Sequence, residues 1–442
     1  MNLLRLTAKV PLAGIIPRME RHARSTKALS PSHKVPTASS HTLWESAEMP
    51  DIDLPFERSE YTDRLARTRD AMDRAEIDTL IVSDPSNMSW LTGYDGWSFY
   101  VHQAVVVPPT GQPLWWGRTM DGFGAMRTVY MEEASILSYP DDYVMNPEKH
   151  AMSHLAGCLQ DRGLGGGKIG LELENYYFSA AAYLKLNKAL PDAELKDATT
   201  LVNWQRSVKS EQELHYMMRA AKIVENMHAC IRDRVEAGMR KNDLIADIFH
   251  AGIAGTDEFG GDYPAIVPLA PSGEDATAAH LTWDDKPFER DACTFFEIAG
   301  CHRRYHAPLC RTVYLGELPD NVKRAEQAVL EGVEAGLNAA RAGNLAGDVA
   351  RALHRKLSEH GIERTGRCGY PIGLSYPPDW GERTISFRET DETELRPGMT
   401  FHFMPGLWMD SWGLEITETI VIEPAGPARP LADVPRNIVV KP

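Results

Sequence analysis

The sequence predicts an α/β N-terminal domain followed by an α+β C-terminal domain. Up to about residue 200, short apolar segments alternate with amphipathic helical patterns, which is typical of a sheet enclosed by helices. Beyond residue 205, two pairs of helical patterns surround strand-like segments, which favours an α+β arrangement with internal duplication. The 442 residues suffice for two large domains, since a folding unit has roughly 150 residues.

The N-terminal α/β domain is predicted over residues 55–200. Residues 61–75 place Leu65, Met72 and Ala75 on one side and charged residues on the other, as in an amphipathic helix. Apolar runs bounded by turn residues predict strands, at residues 79–82, 99–107, 113–117, 134–138 and 168–174.

The C-terminal domain is predicted over residues 205–442. Ser210 and Glu213 have the spacing of a capping box, in which a hydroxyl and a carboxylate satisfy free backbone N–H groups at a helix start. The helix predicted there is followed by others, at residues 242–250, 321–342 and 347–360. Strands are predicted at residues 293–299, 304–314, 400–404 and 414–422.

Composition excludes several classes of protein. Hydrophobic residues make up 43% and charged residues 25%, which excludes a mainly disordered chain. A net charge of −15 argues against a nucleic-acid binder, and no apolar run approaches the ~20 residues of a membrane span. The six cysteines form no C-x-x-C pair, which favours reduced thiols in a cytoplasmic protein.

Residues 1–49 differ in kind from the remainder. They carry seven basic and three acidic residues, a net charge of +4, whereas the remaining chain carries −19. The stretch resembles a transit peptide in composition. We interpret it instead as a disordered arm or an extension upstream of the working start at Met49.

Short motifs in the C-terminal half occur in a recognisable order. They are Pro271-Ser272-Gly273, Phe295-Phe296-Glu297, Cys310-Arg311-Thr312, Gly369-Tyr370-Pro371, Pro397-Gly398-Met399, Met404-Pro405-Gly406 and Gly413-Leu414-Glu415 with Thr417-Glu418-Thr419. This order resembles the pita-bread fold shared by methionine aminopeptidases, prolidases and creatinase. Leu91-Thr92-Gly93-Tyr94 resembles the N-terminal domain of prolidases and creatinase. The resemblance implies a creatinase-like N-terminal domain before a pita-bread catalytic domain.

The metal peptidases of this family bind two divalent ions through two Asp, one His and two Glu. The matching positions here hold Glu297, Pro308, Tyr370, Met404 and Thr417. Proline has no side-chain donor and a thioether is too soft for a hard ion. We therefore expect neither a metal nor another cofactor.

Among the metal-free members, the chain from about residue 55 most resembles the ectoine hydrolases. The segment 91–103 and the residues Glu297, Tyr370 and Met404 carry this resemblance. It implies hydrolysis of the cyclic amidine of ectoine to N-acetyl-L-2,4-diaminobutyrate, followed by a separate deacetylase; acceptance of hydroxyectoine stays open. It also implies a cytoplasmic homodimer in which each N-terminal domain completes the neighbouring pocket.

Glu297 is the predicted nucleophile. Strand alternation places it on one face with Phe295 and Ala299, where apolar neighbours desolvate its carboxylate. An amidinium carbon is already electrophilic, so attack by a carboxylate needs no Lewis acid. His280 matches the histidine that creatinase uses as acid and base, and the resemblance implies that role here.

Three further ionisable residues each lie two positions before a residue that replaces a metal ligand of the family's peptidases. They are His306, His402 and Glu415, and a shift of two keeps a side chain on the same face of a strand. We predict that they contact the substrate. A relocated metal site and an outward-facing arrangement remain alternatives.

Aromatic side chains attract delocalised cations. Candidates for the substrate pocket are Trp97, Phe99, Tyr100, Tyr305, Tyr370, Trp408 and Trp412. By resemblance, Trp97 and Phe99 lie where one subunit meets the other's pocket; core packing is the alternative.

The resemblance, together with the lost metal ligands, thus implies a metal-independent hydrolase acting on ectoine. The alternatives are a creatinase-like amidinohydrolase, an Xaa-Pro dipeptidase-like enzyme and a non-catalytic pseudo-peptidase that binds partners. Glu297 and His280 argue against the last, because a scaffold needs neither.

Overall fold

The computed structural model describes residues 52–442, and the predicted extension at residues 1–49 lies outside them. The helices are α1 Arg58–Arg74, α2 Pro85–Thr92, α3 Thr119–Ala125, α4 Ala151–Gln160, α5 Ala180–Ala189, α6 Leu201–Arg206, α7 Glu211–Arg234, α8 Lys241–Ala254, α9 Asp320–Ala339 and α10 Ala346–Glu359. Within residues 52–442, no helix has the length and apolar character needed to cross a membrane.

The strands fall into two regions of the chain. The first six are β1 Thr79–Val82, β2 Ala104–Val107, β3 Leu114–Arg118, β4 Ile136–Tyr139, β5 Gly167–Leu171 and β6 Ala193–Asp197. The others are β7 Ala292–His302, β8 Tyr305–Leu315, β9 Gly369–Pro371, β10 Thr400–Phe403, β11 Gly406–Trp408, β12 Gly413–Glu415, β13 Glu418–Val421, β14 Arg429–Pro430 and β15 Val439–Lys441.

The N-terminal part is built on one mixed sheet with the strand order β4-β3-β2-β1-β5-β6. The apolar strand β1 is fully buried between antiparallel β2 and parallel β5. Edge strand β6 escaped prediction because its sequence, Ala-Glu-Leu-Lys-Asp, is polar, as suits a solvated edge. The strand predicted at residues 99–107 is shorter than expected, because only Ala104–Val107 pairs with its neighbours.

The C-terminal part is centred on a long antiparallel hairpin. Strands β7 and β8 have 11 residues each, and their register places Glu297 opposite Cys310. Helix α7 packs against both strands and against α8, whereas α9 packs against α10. A second sheet has the order β14-β13-β10-β9, and β11 pairs with β12.

The strand predicted at residues 414–422 is two strands in different sheets. Between them, Thr417 N donates to Cys310 O at 3.1 Å, and Cys310 N donates to Thr417 Oγ1 at 2.8 Å. These bonds to β8 interrupt the strand at residues 416–417. As a result, the side chains of Glu415 and Thr417 are not held on one face by strand alternation.

The predicted capping box is confirmed at the start of α7, and its glutamate also joins the two parts of the chain. Glu213 Oε2 accepts from Ser210 N at 2.9 Å, while Glu213 Oε1 accepts from Trp90 Nε1 at 3.1 Å and from Tyr305 Oη at 2.8 Å. The buried guanidinium of Arg64, on α1, lies 3.5 Å from Glu213 Oε1. One carboxylate therefore balances a buried cation and satisfies donors from distant segments.

Replacing this carboxylate is expected to destabilise the fold. Glu213→Ala leaves Arg64 with a partly exposed Glu60 as its remaining carboxylate partner. It also leaves two buried donors, Trp90 Nε1 and Tyr305 Oη, without this acceptor. We expect the free energy of unfolding to fall by about 3–5 kcal/mol in urea titration. The exposed Glu211→Ala, in the same helical turn, should cost no more than about 1 kcal/mol; equal losses in the two variants would contradict this account.

Candidate active site

A cavity of about 680 Å³ lies beside strands β7, β9 and β12. Both parts of the chain contribute to its wall. The N-terminal part supplies Glu174, Thr199 and Thr200, and the C-terminal part supplies the other lining residues. Five of the predicted residues line the cavity: His280, Glu297, Tyr370, Trp408 and Glu415.

Glu297 lies in the middle of β7 with its backbone fully engaged. Its backbone N–H donates to Leu269 O at 2.9 Å, and its carbonyl accepts from Leu269 N at 3.0 Å. The side chain is buried, with 6% of the residue exposed. Burial raises the pKa of Glu297 well above its ordinary value, and the charge of Glu415 raises it further.

Glu415 ends β12 and is more deeply buried, with 1% of the residue exposed. Burial raises its pKa to about 7, against the opposing effects of a hydrogen bond with the Cys310 thiol and of the charge on Arg364. Its Oε2 atom has no hydrogen-bond partner among the described residues. Because two neighbouring buried carboxyls resist simultaneous ionisation, we expect the pair to retain one proton near neutral pH.

His402 lies beside Glu297 but does not line the cavity, contrary to the expectation that it contacts the substrate. Its Nδ1 atom is 3.9 Å from Glu297 Oε1 and 3.2 Å from the phenol oxygen of Tyr370. Burial, with a smaller effect of the charge on Arg367, lowers the pKa of His402 to about 3. The imidazole is therefore neutral at physiological pH and does not balance the charge of Glu297.

Positive charge also lines the cavity, and Arg364 interacts electrostatically with Glu415. Arg364 donates from Nη1 to Met404 O at 3.0 Å, and its guanidinium carbon is 5.6 Å from the centre of the Trp408 ring. Arg367 lies over the Tyr370 ring at 4.7 Å. Burial lowers the pKa of Arg364, so an anion next to it would be stabilising.

The sequence interpretation missed both arginines as site residues. A cluster of basic residues immediately before the Gly369-Tyr370 motif was the available signal. The cavity also contains unsatisfied polar atoms, Thr384 Oγ1 and Trp408 Nε1, in addition to Glu415 Oε2. Because buried polar groups normally have hydrogen-bond partners, these atoms are available to water or to a polar ligand in the cavity.

The structure does not bring Tyr305 and His306 to the cavity, contrary to the expectation from the sequence. Tyr305 donates its hydroxyl to Glu213. His306 Nε2 accepts from Ala265 N at 2.8 Å, and its Nδ1 lies 2.9 Å from Arg304 O. Both side chains therefore form buried hydrogen bonds to other segments of the chain and do not contact the cavity.

The aromatic residues predicted for the neighbouring pocket lie outside this cavity. Trp97 is 58% exposed and Tyr100 is 65% exposed. The Trp97 ring packs against Phe99 at 4.8 Å and against Tyr263 at 4.7 Å. Trp412 lies elsewhere on the C-terminal part, beside Cys293 and Tyr314.

The donor set does not fit the two divalent ions that the family resemblance implies. Pro308 offers no side-chain donor, and Met404 contributes a thioether to the cavity wall. The hydroxyl of Thr417 is bonded to Cys310 N and His402 Nε2. Within residues 52–442, no group of three or more His, Cys, Asp or Glu could hold a metal ion.

Comparison with known proteins identifies relatives over most of the chain. The Creatinase/Prolidase N-terminal domain matches residues 64–208, and Metallopeptidase family M24 matches residues 215–424. The chain is 55% identical over 400 residues to the ectoine hydrolase of Halomonas elongata, covering 89% of this chain and 100% of that protein. An uncharacterised hydrolase/peptidase of Sinorhizobium fredii is 40% identical over 88% of this chain and 99% of its own length.

Solved structures agree with the fold. The prolidase of Pyrococcus horikoshii superposes with a TM-score of 0.72 at 18% identity, covering 85% of this chain and 99% of that chain. The predicted combination of a creatinase-like N-terminal domain and a pita-bread C-terminal domain is confirmed.

Proposed function

The chain belongs to metallopeptidase family M24, in the branch that carries a creatinase/prolidase N-terminal domain, and on this premise we propose that it is a hydrolase that opens the cyclic amidine of ectoine to N-acetyl-L-2,4-diaminobutyrate. The observation that carries the proposal is the charge arrangement of the cavity. The buried carboxyls of Glu297 and Glu415 suit an amidinium, and Arg364 suits a carboxylate. Ectoine is a zwitterion with both groups.

The proposed reaction begins when a Glu297 carboxylate oxygen bonds to the amidinium carbon. The C=N π electrons move to a ring nitrogen, which gives a neutral tetrahedral adduct. A proton from Glu415 to one ring nitrogen lets that C–N bond break, and the other nitrogen forms a C=N⁺ bond to the same carbon. Water then adds there and loses one proton to Glu415. The Glu297 carboxylate leaves as the acetamide forms, and the remaining hydroxyl proton passes to the released amine.

The substrate cation also accounts for the ionisation of Glu297. Burial and the Glu415 charge favour the protonated carboxyl in the free protein. A bound amidinium next to Glu297 favours its anion, so the shared proton can move to Glu415. Substrate binding therefore ionises the nucleophile Glu297 and protonates the donor Glu415 at the same time.

His280 remains the proposed acid and base that connects the site with solvent. It lines the cavity and is exposed, whereas Glu415 is buried. We place Glu415 at the ring nitrogens and assign His280 the exchange of protons between the cavity and bulk water. Both assignments rest on position.

A substrate panel tests the proposed function. Purified protein is incubated with ectoine, hydroxyectoine, creatine and a Gly-Pro dipeptide, and products are followed by mass spectrometry. We expect ring opening of ectoine that persists after EDTA treatment. Hydrolysis of creatine or the dipeptide without ectoine turnover would overturn the proposal, and loss of turnover restored by a divalent ion would overturn metal independence.

Arg364 is expected to bind the substrate carboxylate. Because that carboxylate is unchanged between the ground state and the transition state, its loss should weaken both equally. Arg364→Met should raise KM by about 10- to 100-fold with little change in kcat, since a charge-assisted hydrogen bond contributes about 1.5–3 kcal/mol. Steady-state kinetics check this, with the exposed Arg388→Met, outside the cavity, as control; an unchanged KM would remove Arg364 from carboxylate recognition.

We further propose a cytoplasmic homodimer in which Trp97, Phe99 and Tyr100 of one subunit complete the neighbouring pocket. Support comes from the exposure of Trp97 and Tyr100. Light scattering should give the mass of a dimer for both the unaltered protein and Trp97→Ala, and the variant should turn over ectoine more slowly. A monomer with full activity would refute the arrangement. The product is an acetamide, so a separate deacetylase would act next.

A further inference from the structure

Tyr370, Trp380, His402 and Thr417 form a hydrogen-bonded group, here called the Tyr370 cluster, of which only Tyr370 lines the cavity. Tyr370 on β9 is directly opposite His402 on β10, which places the two side chains on one face of the sheet. Trp380 Nε1 donates to Tyr370 Oη at 2.8 Å, and His402 Nε2 lies 2.8 Å from Thr417 Oγ1. Trp380, His402 and Thr417 are fully buried.

The contacts of Thr417 determine which nitrogen of His402 carries the proton. Thr417 Oγ1 accepts from Cys310 N, so this bond does not use the hydroxyl proton. Among the described residues, His402 Nε2 is the only hydrogen-bond acceptor that the structure gives this proton. A buried hydroxyl without an acceptor would be costly, so His402 Nε2 accepts and Nδ1 carries the ring hydrogen.

This assignment leaves the phenol proton of Tyr370 free. His402 Nδ1–H and Trp380 Nε1–H both donate to Tyr370 Oη, at 3.2 and 2.8 Å, and these bonds use both lone pairs of the phenol oxygen. Tyr370 Oη has no other hydrogen bond within residues 52–442. Its O–H can therefore be directed into the cavity that Tyr370 lines.

We propose that Tyr370 is a catalytic residue that donates a hydrogen bond to a ring nitrogen of the tetrahedral adduct, and that His402 and Thr417 are its positioning residues. The inference rests on the proposed function. Glu297 Oε1 and Tyr370 Oη both lie within 4 Å of His402 Nδ1, so the donor is close to the attacking group.

The timing of this hydrogen bond follows from the chemistry of the substrate. In the amidinium, both ring nitrogens carry hydrogen and share their electrons with the cation, so neither can accept. When Glu297 adds to the carbon, the nitrogens become amine-like and gain a lone pair. Tyr370 then has an acceptor that the ground state lacked, which stabilises the adduct and the transition state leading to it.

The cluster reuses two positions that match metal ligands in the peptidases of this family. Tyr370 stands at the histidine position and Thr417 at a glutamate position. Neutral hydrogen-bond donors suit a substrate whose positive charge is neutralised when Glu297 adds to it. Electrophilic assistance is thus absent from the ground state and develops as attack proceeds.

The test compares kcat, KM and substrate affinity in three variants. Tyr370→Phe removes only the hydroxyl, so we expect kcat for ectoine to fall by about 100-fold with KM changed less than about threefold. Thr417→Val removes the hydroxyl that fixes the His402 tautomer and should lower kcat in the same way. Thr417→Ser retains that hydroxyl and should restore most of the activity.

Calorimetric binding of ectoine to Tyr370→Phe separates this role from ground-state binding. We expect an affinity close to that of the unaltered protein. Full kcat in Tyr370→Phe, or equal kcat in the Thr417→Val and Thr417→Ser variants, would overturn the inference while leaving the proposed function intact. Absence of ectoine turnover by the unaltered protein would instead overturn the proposed function.

Discussion

Glu297→Gln should lower kcat for ectoine by at least about 10⁴-fold, because it removes the oxygen nucleophile while preserving the size of the side chain. The neighbours of Glu297 are apolar or neutral at physiological pH, apart from Glu415, whose charge raises the pKa of Glu297. An amide at position 297 therefore fits the site without leaving a buried cation unpaired. The loss should appear in catalysis with the fold intact, which circular dichroism can check.

A covalent adduct on Glu297 gives a second, independent measurement. Rapid acid quenching of the unaltered protein during turnover, followed by peptide mass spectrometry, should detect the substrate mass on the peptide containing Glu297. The Gln variant should show none, and the exposed Glu258→Gln, which does not line the cavity, should behave like the unaltered protein. Full turnover by Glu297→Gln would exclude this residue as the nucleophile.

Glu415→Gln should lower kcat by about 10³-fold, because it removes the internal proton donor and acceptor. In the unaltered protein, kcat/KM should rise with pH through about 7, as the pair loses its first proton and the nucleophilic anion becomes available. It should fall again at higher pH, when the second proton leaves and no donor remains. The variant has one carboxyl, so its profile should show a single rising limb.

The same pair affects stability with a defined sign. Burial raises the pKa of Glu415 from 4.5 to about 7, so the folded protein binds this proton more tightly than the unfolded chain. Its contribution to stability is fully present below pH 4.5 and declines as pH rises through about 7. The ligand-free protein should therefore lose more stability over this range than Glu415→Gln does. Parallel curves for the two proteins would contradict a pKa of Glu415 raised by burial.

Local features were predictable because neighbours in sequence determine them. Strand β1 at residues 79–82 and the Ser210–Glu213 capping box match the prediction. Helices α9 and α10 begin within one residue of their predicted starts. Each depends on apolar spacing or on side-chain bonds across a single turn, which the sequence contains.

Strand alternation predicted the site only in part. It named His402 and Glu415 together with His306, but His306 is bonded to the backbone at Ala265 and Arg304. Alternation gives the face of a strand, whereas the chain packed against that face decides whether a side chain meets solvent, substrate or backbone. Arg364 and Arg367 were not predicted as site residues, because they lie in a segment without regular periodicity.

The sequence alone determined the family resemblance, the loss of the metal-binding donor types and the presence of a carboxylate at position 297, because these depend on residue identity and order. Only the tertiary structure decided that Glu415 is buried beside Glu297 and that Thr417 fixes the His402 tautomer. Those facts depend on strands β8, β10 and β12 meeting across more than 100 residues of chain. Proton sharing and hydrogen-bond direction arise from such contacts, which residue order by itself does not contain.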